Sequence, residues 1–142
     1  MIARLTAARD AGDIPGAAVG AAPAARIYVG QIDRTNDVVQ EYRISYDGEQ
    51  QQDVTARGDW TLTEYAWIVE HRRRLHRLDV ATADTARSAT NVMARLLSAQ
   101  QFGSAPLHVL KSSASAQPTT FEDDRQIEPV RVAFLCRVET TP

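Results

Sequence analysis

Apolar residues return along this chain with two periods, one helical and one extended. From Val80 to Gln101, Ala86, Ala89, Val92, Met93, Leu96 and Leu97 recur at three- and four-residue steps, which lines them up on one helical face. That face predicts a helix buried against a partner. Asp79 or Thr82 stands where an oxygen-bearing side chain caps the first free amides, and Gly103 where a left-handed terminating residue is wanted. At helical rise such a segment is roughly 33 Å long, enough to pack a whole sheet in a small domain. An alternating stretch leads into it. Glu64-Tyr65-Ala66-Trp67-Ile68-Val69-Glu70 lies inside a strand predicted over Trp60 to His71, with Tyr65, Trp67 and Val69 facing one way and Ala66 and Ile68 the other. Both sides are largely apolar, the pattern of a central strand.

Four further strands are predicted. Arg26 to Ile32 is β-branched and aromatic; Val38 to Tyr46 sets Tyr42, Ile44 and Tyr46 against Glu41, Arg43 and Ser45, one dry face and one wet; Leu107 to Leu110 is a short apolar run; Val130 to Val138 alternates cleanly. Met1 to Asp10 predicts a short helix held by Ile2 and Leu5. Ala11 to Ala25 consists of small residues punctuated by Gly12, Pro15, Gly16, Gly20 and Pro23, and reads as a flexible arm. Residues 47–59, opened by Asp47-Gly48, are expected to form a loop or the tip of a protruding hairpin, and a loop is expected at 112–124, where a Ser, Ala and Thr run meets the acidic turn Glu122-Asp123-Asp124. The expected architecture is a single α+β domain over residues 1–142. In it a mainly antiparallel sheet of about five strands is packed by one long helix, with a short N-terminal helix beside it.

Composition narrows the class. A chain of 142 residues with 44% hydrophobic residues can bury one core without metals or disulfides. No apolar run approaches the ~20 residues of a spanning helix. The first ten residues carry Arg4, Arg9 and Asp10 in place of an apolar signal-peptide centre, so a soluble chain without a targeting segment or membrane contact is expected. The single cysteine, Cys136, excludes an intrachain disulfide, and its place in the alternation of Val130, Val132, Phe134 and Val138 marks a core residue. A net charge of −2 argues against a dedicated binder that works by neutralising phosphates. Lys111 is the only lysine beside fifteen arginines, the side chain whose planar fork suits carboxylates and subunit contacts.

Candidate chemistry is sparse. His71, His76 and His108 have no shared metal-ligand spacing, and four neighbouring arginines repel a divalent cation. Glycines are scattered singly, so no phosphate-cradling loop exists, and no serine stands in a nucleophile turn. Asp123 and Asp124 read as a solvated turn rather than an acid–base pair. Arg57-Gly58-Asp59 matches a cell-attachment tripeptide but stands in no extracellular module, and reads as a chance occurrence. No catalytic, cofactor-binding or metal residue is predicted, and the chain is read as a non-enzyme.

The basic run Arg72-Arg73-Arg74 with Arg77 is the most distinctive local feature. Beside a solvated turn, it fits an ion-pair partner for Glu122, Asp123 and Asp124 of the same or an adjacent chain, or a positive lining facing DNA. Those seven residues form the candidate interface or lumen set.

The chain order, a short helix, a small-residue arm, strands such as Arg26-Ile27-Tyr28-Val29 and Tyr65-Ala66-Trp67-Ile68-Val69 running into arginines, a helix ending Met93-Ala94-Arg95-Leu96-Leu97 and a last alternating strand, resembles the tail terminator proteins of long-tailed phages, particularly the Mu-like group. The resemblance implies a virion structural protein: a homohexameric ring that caps the tail tube, stops its polymerisation and joins it to the neck. Its implied partners are further copies of itself, the tail tube protein and a neck or head-completion protein, with DNA as a passing contact. It would be assembled in the host cytoplasm and located in the virion, and the family has no catalytic residues to carry over. The polar region Asp47 to Asp59 departs from a minimal version of the family pattern. Two other readings stand beside it: a head–tail connector or neck ring component, and a small cytoplasmic ligand-binding or enzymatic α+β domain. The last requires a concave pocket with convergent polar groups inside one monomer. A ring requires two different complementary patches on one chain, for which strand edges, opposite charge clusters, and segments 11–25 and 112–120 ordering on assembly are the expected materials.

Overall fold

The structure is a computed structural model and describes residues 1–31, 39–54, 59–74, 80–98, 103–104 and 107–139. Arg77, His76, the expected cap Asp79, the Arg57-Gly58 part of the tripeptide and the expected end of the long helix at Gln100 and Gln101 lie outside the described residues. The elements run α1 (Ile2–Asp10), β1 (Arg26–Val29), β2 (Gln40–Val54), β3 (Trp60–Arg74), α2 (Val80–Ser98), β4 (Gly103–Ser104), β5 (Leu107–Ala116), β6 (Thr120–Glu122) and β7 (Arg125–Glu139).

Sheet dominates, and this overturns the expected architecture of about five antiparallel strands organised by one long helix. Six strands lie in the order β1-β2-β3-β7-β5-β4, and β6 adds a seventh against β7. The sheet is mixed, because β1 runs parallel to β2 while the other pairs are antiparallel. Its axis is the pair β3 and β7, matched residue for residue from Trp60 opposite Glu139 to Arg74 opposite Arg125.

The strands outrun the apolar pattern at three places, each for a local reason. At Asp47-Gly48 the chain does not turn; Gly48 takes a φ of 116°, β2 shifts register there, and pairing with β3 resumes up to Val54 opposite Thr61. Ser112 to Ala116, expected as a loop, pairs with Phe134 to Val130 of β7, whose ladder holds small residues that carry no pattern of their own. Pro129 sits within β7 where its outer flank changes partner, from β5 at Val130 to β6 at Ile127. The Pro129 carbonyl accepts Gln117 N–H at 2.9 Å on that flank, so the missing proline amide falls on the same side and removes nothing from the pairing with β3.

Register assigns the two faces. Tyr42 and Ile44 of β2, Val69 of β3, and Val130, Val132, Phe134 and Cys136 of β7 share one face and form the core with Leu5 and Ala8 of α1 and Met93 and Leu97 of α2. Both helices therefore cover the same side. The apolar stripe of α2 buries Met93 and Leu97 fully and leaves Val92 at its exposed margin. The segment expected as an arm is tied to this core: Ile14 is buried, Pro15 O accepts the Tyr42 hydroxyl at 2.7 Å, and Ala25 O accepts Arg9 Nη1 at 2.7 Å. Gly16 closes it. Its φ is +104°, and a Cβ there would stand 2.5 Å from that of Ala25.

Because Leu97 is wholly enclosed, Leu97→Ala is expected to lower unfolding free energy by about 2–5 kcal/mol in a urea titration. Val92→Ala, at the margin, is expected to cost less than about 1 kcal/mol in the same assay.

Candidate functional site

On the face away from the helices, two short patterns meet crosswise. β2 carries Glu41 and Arg43 two residues apart, β3 carries Glu70 and Arg72, and the antiparallel register sets Glu41 opposite Arg72 and Arg43 opposite Glu70. Arg72 reaches Glu41 Oε1 at 3.6 Å from Nε, Glu70 Oε2 at 3.4 Å from Nη1 and Glu122 Oε2 at 3.3 Å from Nη2. Arg43 meets Glu70 at 3.1 Å, Arg125 lies 3.9 Å from Glu41, and Arg74 Nε donates to Asp124 Oδ2 at 2.5 Å. Four guanidiniums, of Arg43, Arg72, Arg74 and Arg125, thus balance four carboxylates, of Glu41, Glu70, Glu122 and Asp124.

The centre of this network is interior. The Arg72 and Glu41 side chains are each 3% exposed, a state a charge tolerates only when paired. Tyr28 lies against Glu41 with the Arg26 guanidinium 4.4 Å above its ring; burial, then the Glu41 charge, raise its pKa. Among the described residues Arg72 Nε and Arg125 Nη1 are buried without a hydrogen-bond partner, so around Glu41 these two guanidiniums are held by charge more than by directed bonds. Toward the rim, exposed Asp124 is held below the usual carboxylate range, chiefly by its hydrogen bond from Arg74.

The candidate set predicted from sequence is therefore divided. Arg72 and Arg74 join Glu122 and Asp124 within one chain, across the β6 to β7 turn. Arg72 faces neither solvent nor a channel. Arg73 alternates to the opposite side of β3, where its charge bears on His71, and Asp123 forms the exposed tip of the turn with a φ of 55°. Glu41, Arg43, Glu70 and Arg125 were missed by sequence reasoning. The repeated Glu-x-Arg spacing on adjacent strands was the available signal.

A second polar group lies on the helix-covered face. His71 is buried, stacks on Tyr42 with ring centroids 4.7 Å apart, and places Nε2 3.2 Å from Gln40 Oε1. Burial first, and Arg73 second, push its pKa down to about 4. Glu128, opposite His71 in the ladder, accepts Gln126 Nε2 at 2.8 Å and a short hydrogen bond from Thr90 Oγ1. It also borders a cavity of about 190 Å³ between α2 and the β5 to β6 connection, lined further by Arg87, Asn91, Gln117 and Thr119. His108 is separate, 3.5 Å from Glu139. Cys136 is enclosed in the core, and burial raises its thiol pKa. Among the described residues no three His, Cys, Asp or Glu side chains gather to hold a metal, and no helix is long and apolar enough to cross a membrane.

No family model matches this chain, and no curated protein matches it significantly.

Two outcomes follow from this geometry. Glu41→Gln leaves Arg72 and Arg125 short of a buried carboxylate and is expected to cost about 3–5 kcal/mol in unfolding free energy, against less than about 1 kcal/mol for Arg74→Ala at the rim. For His71 the folded state binds fewer protons than the unfolded state between pH 6.5 and about 4. Stability is therefore full above pH 6.5 and lost on acidification through that window, by roughly 3 kcal/mol from this residue. Denaturation midpoints taken at pH 7, 6, 5 and 4 should show this slope, and His71→Phe should flatten it.

Proposed function

We propose that this chain is a structural ring protein of a phage tail, a tail terminator whose copies close into a homohexamer that caps the tail tube and meets the neck. The observation that supports it best is a sheet left open on both sides. Past Ile44, β2 has no strand on its outer flank among the described residues, and neither has β5 past His108. Two different open edges on one chain are the surfaces a head-to-tail contact requires, and such a contact closes into a ring when its rotation permits. The order of elements resembles that of the terminator family, which supports a tail as the place of such a ring. The charge-balanced interior network makes each copy a stiff unit and withdraws Arg72 from any role toward DNA.

One specific feature favours a second reading. The cavity beside Glu128 is a concave polar site inside one monomer, as a small ligand-binding domain would have.

Light scattering and electron micrographs of the purified protein test these readings. A closed ring with six times the 15.7 kDa chain mass, binding the ends of isolated tail tubes, is the expected result. A ring that binds only capsid connectors would assign it to the neck. A monomer at every concentration would reject both ring roles and leave the cavity as the place to look.

A further inference from the structure

Glu128 is a buried carboxylate without a counter-ion. It is 3% exposed and accepts hydrogen bonds from Gln126 Nε2 at 2.8 Å and from Thr90 Oγ1, both neutral donors. Among the described residues no basic side chain forms an ion pair with it. His71 stands opposite it in the ladder, but burial, and Arg73 after it, push the imidazole pKa down to about 4, so it brings no positive charge at pH 7. The contrast is Glu41, buried to the same degree, which has Arg72 at 3.6 Å and Arg125 at 3.9 Å. A carboxylate withdrawn from water is costly unless a cation meets it, and for Glu128 none of the described side chains does.

The missing cation has room to enter from outside the fold. Glu128 and Thr90 line the cavity of about 190 Å³ between α2 and the β5 to β6 connection, and Arg87 lines it as well. Arg87, Thr90 and Asn91 stand three and four residues apart on α2, so they share one helical face. Arg87 is exposed and has no ion pair among the described residues, with Glu128 or any other acid. One cavity is thus bordered by an unpaired guanidinium and an unpaired carboxylate that do not reach each other. The connection across from α2 is fixed: Gln117 N–H donates to Pro129 O at 2.9 Å and Gln117 Nε2 to Ser115 Oγ at 3.1 Å. The volume falls below the roughly 300–1,000 Å³ of drug-sized pockets, which suits a molecule of only a few heavy atoms.

We propose that this cavity binds a small zwitterion, an aliphatic amino acid whose ammonium group meets Glu128 and whose carboxylate meets Arg87. The ammonium supplies the charge that Glu128 lacks, and the planar fork of a guanidinium suits a carboxylate. Thr90, whose hydroxyl already donates to Glu128, acts as a positioning residue that holds the carboxylate in place. One zwitterion pairs both groups at once, whereas a simple amine or carboxylic acid pairs only one. The inference gives a ligand class to the second reading above and rests on that reading. It needs no contact between copies, because every group named belongs to one chain.

Isothermal titration calorimetry of the full chain at pH 7 tests it with glycine, 4-aminobutyrate, methylammonium and acetate. The expected result is saturable binding of one of the two amino acids, about tenfold or more tighter than methylammonium or acetate. Arg87→Glu, at an exposed position, should leave the thermal melt of the ligand-free protein unchanged, weaken amino-acid binding about tenfold or more, and let butane-1,4-diammonium bind in its place. That exchange of preference is one a merely structural role would not produce. Glu128→Gln keeps an acceptor for the Thr90 hydroxyl and should weaken the amino acid by a similar factor. Amino-acid binding undiminished in both variants overturns the proposal, as does butane-1,4-diammonium binding the wild type as tightly as the amino acid. Methylammonium or acetate bound without either amino acid, and lost in the same variants, overturns the zwitterion while keeping the cavity as a ligand site. Silence from all four probes overturns both and leaves the ring reading in place.

Discussion

Everything in this molecule hangs on the uninterrupted pairing of β3 with β7. Fifteen consecutive residues on each strand are matched without a register shift, and every other strand except β1 and β4 is aligned on one of these two. Because side chains alternate strictly along a strand, fixing this ladder decides at once which residues face the helices and which face away. Val69, Val130 and Val132 become the floor on which α1 and α2 rest, and Arg72, Glu70 and Arg125 are gathered on the opposite side. A slip by one residue would exchange these sets and bury charge in the core.

The ionic cluster guards against that slip. Glu41 with Arg72 and Arg43 with Glu70 pair correctly in a single register of β2 on β3, and Glu122 adds the short strand β6 to the same guanidinium. Buried ion pairs contribute little net stability, since desolvation offsets much of the attraction, but an unpaired member is costly. The cluster therefore acts mainly by penalising misalignment. It also accounts for strands that extend well past the apolar run: cross-strand attraction and the backbone ladder hold Arg72–Arg74 and Arg125–Glu128 where hydrophobic burial alone does not.

Sequence showed the parts of this fold that depend on apolar period and hid those that depend on a neighbour. The facing of Tyr65, Trp67 and Val69, the buried stripe at Met93 and Leu97 and the interior place of Cys136 were legible, because burial writes itself into spacing. The strand character of Ser112–Ala116 was not, since small polar residues adopt whatever the adjacent ladder imposes. Arg72–Arg74 looked like a turn because charge usually marks solvent, and Asp47-Gly48 looked like the start of a loop or hairpin tip because a left-handed glycine serves a bulge as readily as a turn. At the candidate site, opposite charge linked the arginine run with the acidic turn. The depth of Arg72 came from Glu41 and Glu70, which lie on strands whose register had first to be known.

The irregularities of β2 have a geometrical consequence. Its ladder with β3 is broken at Tyr46/Gly48 and again at Gln51/Asp53, and each added residue bends the strand and increases its local twist. A neighbour that docked along so crooked a border would inherit that angle, and the next would inherit it again. Straight borders build fibrils of indefinite length, whereas a repeated angle favours a small, self-limiting count of subunits.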